Sequence, residues 1–115
     1  MIPEDEESWL GWVTDYAVRV ARPPWRYYHT RDSRRSAAGF PDLVLVRGPR
    51  LIFAELKTER GKLTADQVAW LEDLAMVAAT ATGRAWDPPG DPPPPVPEVY
   101  VWRPSDRPEI GRILR

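Results

Sequence analysis

Two short apolar runs on either side of a tight turn signal constrain the fold of this chain more than any other feature. The runs cover residues 43–46 and 51–54, and Arg-Gly-Pro-Arg fills the four positions between them. This pattern is typical of a β-hairpin. If the turn is centred between Gly48 and Pro49, the loop has either two or four residues. With either loop length, Asp42 lies directly opposite Glu55.

This pairing would bring charged side chains together on one face of the hairpin. Lys57 lies two residues beyond Glu55 and therefore points to the same face. Facing carboxylates destabilise a strand pair, and either a shared proton or a bound hard cation would relieve the repulsion. A lysine beside them can hold a phosphate or a nucleophilic water. The alternative is an ordinary solvated hairpin with charged ends.

Charge is distributed unevenly along the chain. Residues 1–18 carry five acids and no base, whereas residues 19–62 carry eleven Lys and Arg against four acids. Residues 63–115 carry five bases against eight acids. The basic segment contains Asp42 and Glu55, and a basic surround with an acidic centre suits a polyanion that meets a metal ion.

Composition narrows the class of protein further. With 115 residues, we expect a single domain over residues 1–115. The chain has no cysteine, which excludes disulfides and thiolate metal sites. No apolar run approaches membrane length, and the acidic N-terminal residues are unlike a signal peptide. We therefore expect a soluble cytoplasmic protein without membrane contact.

A helix and a strand are predicted before the hairpin. Residues 4–21 have apolar side chains at i, i+3 and i+4 spacing, and Pro3 and the acids at 4–7 suit the start of a helix. The predicted apolar stripe consists of Trp9, Trp12, Val13, Tyr16, Ala17 and Val20. Two prolines end this helix, and residues 25–29 favour a strand.

A second long helix is predicted over residues 63–82, with Thr64 and Gln67 matching a capping box. Its predicted buried face consists of Trp70, Leu71, Leu74, Ala75, Val77 and Ala78. The proline-rich residues 87–97 indicate a solvated polyproline loop inserted in the domain. A strand at 98–102 follows, and Ser105 or Asp106 can cap a last short helix near residues 108–114.

The element order is therefore α-β-β-β-α-β-α, which predicts an α/β fold. Its strands form one four-stranded mixed sheet flanked by helices. The crossover through the second long helix would make the last strand parallel to a strand of the hairpin. The loop at residues 30–39 carries three arginines, which form either a solvated turn or a phosphate-binding loop that leads to Asp42.

The sequence Gly39-Phe40-Pro41-Asp42, followed by Glu55-Leu56-Lys57, resembles the PD-(D/E)XK nuclease motif. The element order resembles the restriction-endonuclease-like core of that superfamily. More narrowly, the chain resembles a stand-alone VRR-NUC domain of the bacteriophage type. The likeness is carried by residues 28–33, 39–47, 54–58 and 63–64, with Gln67, Trp70-Leu71 and Val101-Trp102-Arg103-Pro104. The chain departs from the pattern in its proline-rich insertion.

The resemblance implies roles for the motif residues. Asp42, Glu55 and the backbone carbonyl of Leu56 correspond to metal ligands, and Lys57 corresponds to the catalytic lysine. Gln67 matches a glutamine near the site, although it could serve only the capping box.

The resemblance also implies a glutamate on the first helix that assists metal binding. Glu6 is the best match, with Glu7 adjacent, but Glu6 could equally be a favourable charge at a helix start. For His29, packing or a substrate hydrogen bond is the expected role.

The implied function is a Mg²⁺- or Mn²⁺-dependent DNA endonuclease that hydrolyses phosphodiester bonds, with a preference for branched or four-way DNA and a homodimeric state. Candidate contacts to the DNA backbone are Arg31, Arg34, Arg35, Arg50, Arg60 and Lys62. Two alternatives come from other classes. One is a DNA-binding accessory protein that does not cut, and the other is an interaction protein whose polyproline loop binds a partner.

Overall fold

The computed structural model describes residues 5–30, 37–81 and 97–115 of the chain. The predicted proline-rich loop, the arginines at 31, 34 and 35, and Pro3 lie outside the described residues, apart from Pro97 at the end of that loop. Within the described ranges, no helix has the length and apolar character needed to cross a membrane.

The described strands form one four-stranded mixed sheet, in the order β1-β2-β3-β4. These are β1 (Arg26–His29), β2 (Leu43–Arg47), β3 (Arg50–Leu56) and β4 (Glu98–Trp102). The first three pair antiparallel, and β4 pairs parallel with β3. This arrangement confirms the predicted α/β fold and the parallel crossover.

The hairpin between β2 and β3 has the predicted register. Leu43 pairs with Ala54, and Arg47 pairs with Arg50, so the loop has two residues rather than four. Gly48 has a φ of 57°, in the left-handed region that a two-residue hairpin turn needs.

The first helix is shorter than predicted. It begins at Glu6 and ends at Asp15, and its N-cap is Asp5, whose Oδ1 accepts a hydrogen bond from the Ser8 amide at 2.7 Å. A π-helical segment, Tyr16–Val20, continues this helix, which we call α1.

The π-helical segment alters which side chains of α1 are buried. Trp9, Val13 and Ala17 are fully buried, as the predicted stripe requires. The prediction for Val20 is wrong, because its side chain is 55% exposed. In the π-helical segment the Ala21 amide bonds the Tyr16 carbonyl, five residues back, so the inward face shifts and Ala21 is buried instead.

Successive side chains of each strand point to opposite sides, so the sheet has two distinct faces. The core face packs beneath α1 and the C-terminal helix α3 (Arg107–Leu114), which contributes Ile110 and Leu114. Its fully or nearly buried side chains are Leu43, Leu45, Ile52, Ala54, Leu56 and Trp102. The opposite face, called the outer face below, carries Val44, Val46, Phe53 and Glu55.

The second long helix, α2 (Ala65–Ala81), covers part of the outer face. Trp70 packs edge-to-face on Phe40, with ring centroids 5.0 Å apart, and Phe40 does the same with Phe53 at 5.9 Å. These aromatic contacts attach α2 to the loop before β2 and to β3.

The predicted buried face of α2 is partly wrong. Ala78 is buried and Leu71 and Leu74 are half-buried, but Ala75 is exposed and Val77 is 52% exposed. Successive helical residues are separated by about 100°, so Val77 points well away from the direction of Ala78. The inward stripe consists of Gln67, Trp70, Leu71, Leu74 and Ala78, and it is narrower than predicted.

The C-terminal helix begins close to the predicted position. A 3₁₀ turn, Pro104–Asp106, precedes α3, and Asp106, one of the two predicted candidates, is the N-cap residue of α3. Its side chain makes no capping bond to α3; instead Asp106 Oδ2 accepts a hydrogen bond from the Arg103 amide at 2.8 Å, at the start of the 3₁₀ turn.

Arg50, which was predicted to contact DNA, belongs to a partly buried network at the turn end of the sheet. Its guanidinium donates to both carboxylate oxygens of Glu98, at 2.9 and 2.7 Å, and to the Ile113 carbonyl. The guanidinium also lies over the Trp25 ring. Arg50 lies five residues from Glu55 along β3, about 17 Å away.

Replacing Glu98 should destabilise the fold. Glu98 is 3% exposed and the Arg50 side chain is 23% exposed, so Glu98→Gln removes a partly buried charge-assisted bond and should lower the free energy of unfolding by about 2 kcal/mol. Urea denaturation measures this. The matched control is Asp15→Asn, which breaks the exposed Arg19–Asp15 pair and should cost less than about 1 kcal/mol. Equal effects of the two substitutions would contradict the assignment of a partly buried network.

Candidate active site

A cavity of about 400 Å³ opens where β2 and β3 approach the N-terminal ends of α1 and α2. The residues that line it are Glu6, Glu7, Leu10, His29, Asp42, Glu55, Leu56, Lys57 and Gln67. All four residues predicted to be catalytic are among them. The structure thus brings these residues together, while their chemical roles stay predictions.

Asp42 is held in place by the backbone around it. Its Oδ2 accepts a hydrogen bond from the Leu56 amide at 2.9 Å, across the hairpin. Its carbonyl accepts from the Thr30 amide at 2.8 Å, and the Thr30 hydroxyl donates to the Pro41 carbonyl. These bonds extend the strand pairing up to the cavity and fix the direction of the carboxylate.

Glu55 is a buried carboxyl beside Asp42. The residue is 2% exposed, and within the described residues its Oε2 accepts no hydrogen bond from an N–H or hydroxyl donor, although the carboxyl lies close enough to Asp42 to share a proton with it. Burial, followed by the nearby charge of Asp42, raises the pKa of Glu55 to about 8, and the Lys57 ammonium partly opposes this shift. In the metal-free protein Glu55 therefore keeps its proton at neutral pH, which relieves the repulsion between the two carboxyls.

Gln67 performs two functions that the sequence left as alternatives. Its side-chain Oε1 accepts a hydrogen bond from the Thr64 backbone amide at 2.8 Å. The Gln67 backbone amide donates to the Thr64 hydroxyl at 3.2 Å, which completes the capping box. Its Nε2 donates to Glu55 Oε1 at 2.8 Å. Because the cap occupies the amide oxygen, the side chain presents a donor to Glu55.

The loop before β2 brings the start of α2 close to the site. Gly39 has a φ of 84°, and a Cβ there would lie 2.4 Å from the Asp66 backbone carbon. Any side chain at this position would displace α2. Gly39 therefore permits the contact that places Gln67 within reach of Glu55.

The donor set of the cavity suits a hard divalent cation. Asp42 and Glu55 supply carboxylate oxygens, and the Leu56 backbone lines the same cavity. Glu6 and Glu7 both line it from α1. However, no three acidic, histidine or cysteine side chains gather as one metal-binding group among residues 5–30, 37–81 and 97–115. An ion would thus rest on two carboxyl groups and backbone or water oxygens.

Sequence reasoning did not identify the positioning contacts of Arg103. Its guanidinium donates to the carbonyls of Thr58 at 2.6 Å and Gly61 at 2.7 Å, and it approaches that of Glu59 at 3.3 Å. The Glu59 carboxylate in turn accepts from the Ser105 amide. These bonds hold the loop that follows Lys57. The only signal in the sequence was the Val-Trp-Arg-Pro match, which assigned Arg103 no contact.

The predicted DNA contacts have different outcomes. Arg60 and Lys62 are exposed on the loop that follows Lys57. Arg50 is committed to the network with Glu98. The arginines at 31, 34 and 35 lie outside the described residues.

The mixed sheet, the flanking helices and a cavity with two carboxyl groups and a lysine define an α/β protein with a restriction-endonuclease-like core. The family model of the VRR-NUC domain matches residues 16–82, more than half of the chain. The chain therefore belongs to the VRR-NUC family, a nuclease family of the PD-(D/E)XK superfamily that acts on DNA. No curated protein and no solved structure matches it.

The matched range includes part of the cavity lining. Asp42, Glu55, Lys57 and Gln67 lie within it, whereas Glu6 and the C-terminal strand do not. The match thus supports the resemblance at the hairpin and the start of α2.

The stability of the metal-free protein should fall as pH rises from about 5 to about 8. Over this range the folded state retains the Glu55 proton that the unfolded chain has released, so rising pH favours unfolding. This contribution is complete below the ordinary pKa of a glutamate and is lost above the raised one. Urea denaturation in EDTA across this range measures it. Glu55→Gln should flatten the pH dependence, and an unchanged slope in that variant would contradict the raised pKa.

Gln67→Glu should separate the two functions of Gln67. Glutamate at this position preserves the capping box, so helix stability should change little, but it removes the donor to Glu55 and adds a carboxylate. We expect cleavage to fall at least about 10²-fold, comparable to the loss of one preorganised donor. In the complementary control, Thr64→Ala should cost about 1 kcal/mol of stability. Unimpaired cleavage by Gln67→Glu would show that the bond to Glu55 is dispensable.

Proposed function

We propose that this protein is a metal-dependent DNA endonuclease that hydrolyses phosphodiester bonds. The observation that carries the proposal is the meeting of the buried Glu55 carboxyl with Asp42 and Lys57 in one cavity. The charge of Asp42 contributes to the raised pKa of Glu55, and a hard divalent cation would neutralise such a pair of carboxyl groups.

In this proposal Asp42, Glu55 and the Leu56 carbonyl hold Mg²⁺ or Mn²⁺, with Glu6 as a further candidate through water. Such an ion, when bound, polarises the phosphate and lowers the pKa of a water molecule. Gln67 orients Glu55 through its Nε2 donor. Lys57 stabilises the negative charge that develops on the phosphate oxygens or orients the attacking water.

The proposed DNA-binding surface consists of cationic side chains. Arg60 and Lys62 lie on the loop that Arg103 holds, and Arg31, Arg34 and Arg35 are further candidates from the sequence. Contacts of this kind are made to phosphates, so they give affinity without reading sequence and make binding depend on salt.

We further propose a preference for branched DNA, such as a four-way junction, and a homodimeric state. Symmetric cleavage of a junction needs two sites at a fixed separation, which a twofold dimer supplies. This part of the proposal rests on the resemblance to stand-alone domains of the family. Light scattering at the concentration of the cleavage assay tests it, since a monomeric mass would contradict the dimer.

Substitutions at the cavity should abolish cleavage without unfolding the protein. We expect Asp42→Asn and Lys57→Met each to reduce the cleavage rate by at least about 10²-fold. The assay is a panel of single-stranded, duplex, flap and four-way DNA in Mg²⁺ and in Mn²⁺. The control is Glu109→Gln, which removes an exposed carboxylate on α3, 54% accessible, and should leave cleavage unchanged.

Calorimetric titration with Mn²⁺ gives an independent readout. Heat of binding that disappears in Glu55→Gln supports the proposed site. Cleavage by Asp42→Asn at the normal rate would contradict the proposed mechanism. Salt-dependent DNA binding without turnover by the unmodified protein would instead support a DNA-binding accessory protein.

A further inference from the structure

Tyr28 exposes its aromatic ring beside the candidate active site. It lies on β1, an edge strand of the described sheet, and is 60% exposed. A tyrosine ring combines an apolar face with a polar hydroxyl, so an exposed ring can stack on a flat partner. Its exposure leaves a flat apolar surface open to a binding partner.

The pairing register places this ring on the face of the predicted catalytic residues. Tyr28 pairs with Val44, and Asp42 lies two residues before Val44 on the neighbouring strand. Residues related in this way lie on the same face as diagonal neighbours, about 7–8 Å apart. The ring is thus within about one nucleotide step of Asp42.

The same face of β1 also carries a cation. Arg26 pairs with Val46, two residues from Tyr28 on the side away from the cavity, and its side chain is exposed. Val46 is 43% exposed and adds apolar surface between them. Phosphate-binding, stacking and predicted cleavage groups therefore follow one another along the outer face.

We propose that Tyr28 stacks an unpaired base of the DNA next to the phosphate that is cut, with Arg26 contacting a phosphate further along the strand. The inference rests on the proposed function, because it assigns the substrate of that same site. A base within a duplex already has neighbours on both of its faces, whereas an unpaired base can stack on an aromatic side chain. Tyr28 thereby favours DNA with a single-stranded segment beside the cut, such as a flap or junction arm.

The alternation of β1 supplies a matched control. Tyr27 is also exposed, at 43%, but it pairs with Leu45 and points to the core face. A general loss of aromatic surface would affect both tyrosines. A stacking site on the outer face depends on Tyr28 alone.

The test measures DNA binding by the protein in Ca²⁺ and in EDTA, so the result does not depend on cleavage. The probes are a single-stranded oligonucleotide that contains 2-aminopurine and its duplex with a complementary strand. Tyr28→Ala should weaken binding of the single strand by about 5- to 150-fold and abolish the fluorescence quenching that reports stacking. Binding of the duplex, and the dependence of log K on log salt, should be almost unchanged because no phosphate contact is lost.

The control variants define the outcomes. Tyr28→Phe keeps the ring and should bind within about twofold of the unmodified protein, and Tyr27→Ala should do the same. Single-strand binding by Tyr28→Ala at full strength, or an equal loss in Tyr27→Ala, would overturn the stacking site. A fall in molar mass of Tyr28→Ala without loss of single-strand binding would also overturn it, and would assign the ring to contact between two copies.

Photocrosslinking of the unmodified protein keeps the proposal testable if Tyr28→Ala does not fold. A single strand with 5-iododeoxyuridine should crosslink to Tyr28, as located by mass spectrometry. Crosslinks that avoid β1 would overturn the stacking site. Failure of the protein to cleave any DNA would instead overturn the proposed function, while the binding and crosslinking results would still decide the role of Tyr28.

Discussion

The hydrogen-bonded register between β2 and β3 determines how the candidate site is built. With a two-residue loop at Gly48 and Pro49, Asp42 and Glu55 meet at the far end of the hairpin, where the strands reach the cavity. A shift of one residue would send Glu55 to the core face. The aromatic contacts of α2 and the bonds of Arg103 then position further groups around a pair that the hairpin has already set.

The pair of carboxyl groups destabilises the fold when both are charged, and the groups around it reduce this effect. Burial favours the neutral form of Glu55, and the raised pKa means that the metal-free protein carries one negative charge there rather than two. Gln67 supplies a donor whose orientation the capping box fixes. A divalent cation bound as proposed would replace the Glu55 proton and neutralise the same repulsion.

Local rules predicted much of the fold and of the candidate site. The hairpin register follows from turn chemistry, and the capping box from a four-residue pattern. The errors arise where tertiary packing decides. Val20 left the predicted stripe because of a π-helical segment. The pairing of Arg50 with Glu98 was not foreseen, because the two residues are 48 positions apart in the sequence. Arg103 was missed for the same reason, since its acceptors are backbone carbonyls that no side-chain pattern reveals.

The contact between Gly39 and Asp66 joins backbone to backbone, which has a consequence for variation of this protein. Spacing set by main-chain atoms does not depend on the size of nearby side chains. The exposed surface of α2 is therefore free to diverge, or to be redesigned for a different docking surface, without altering the gap that separates Gln67 from Glu55.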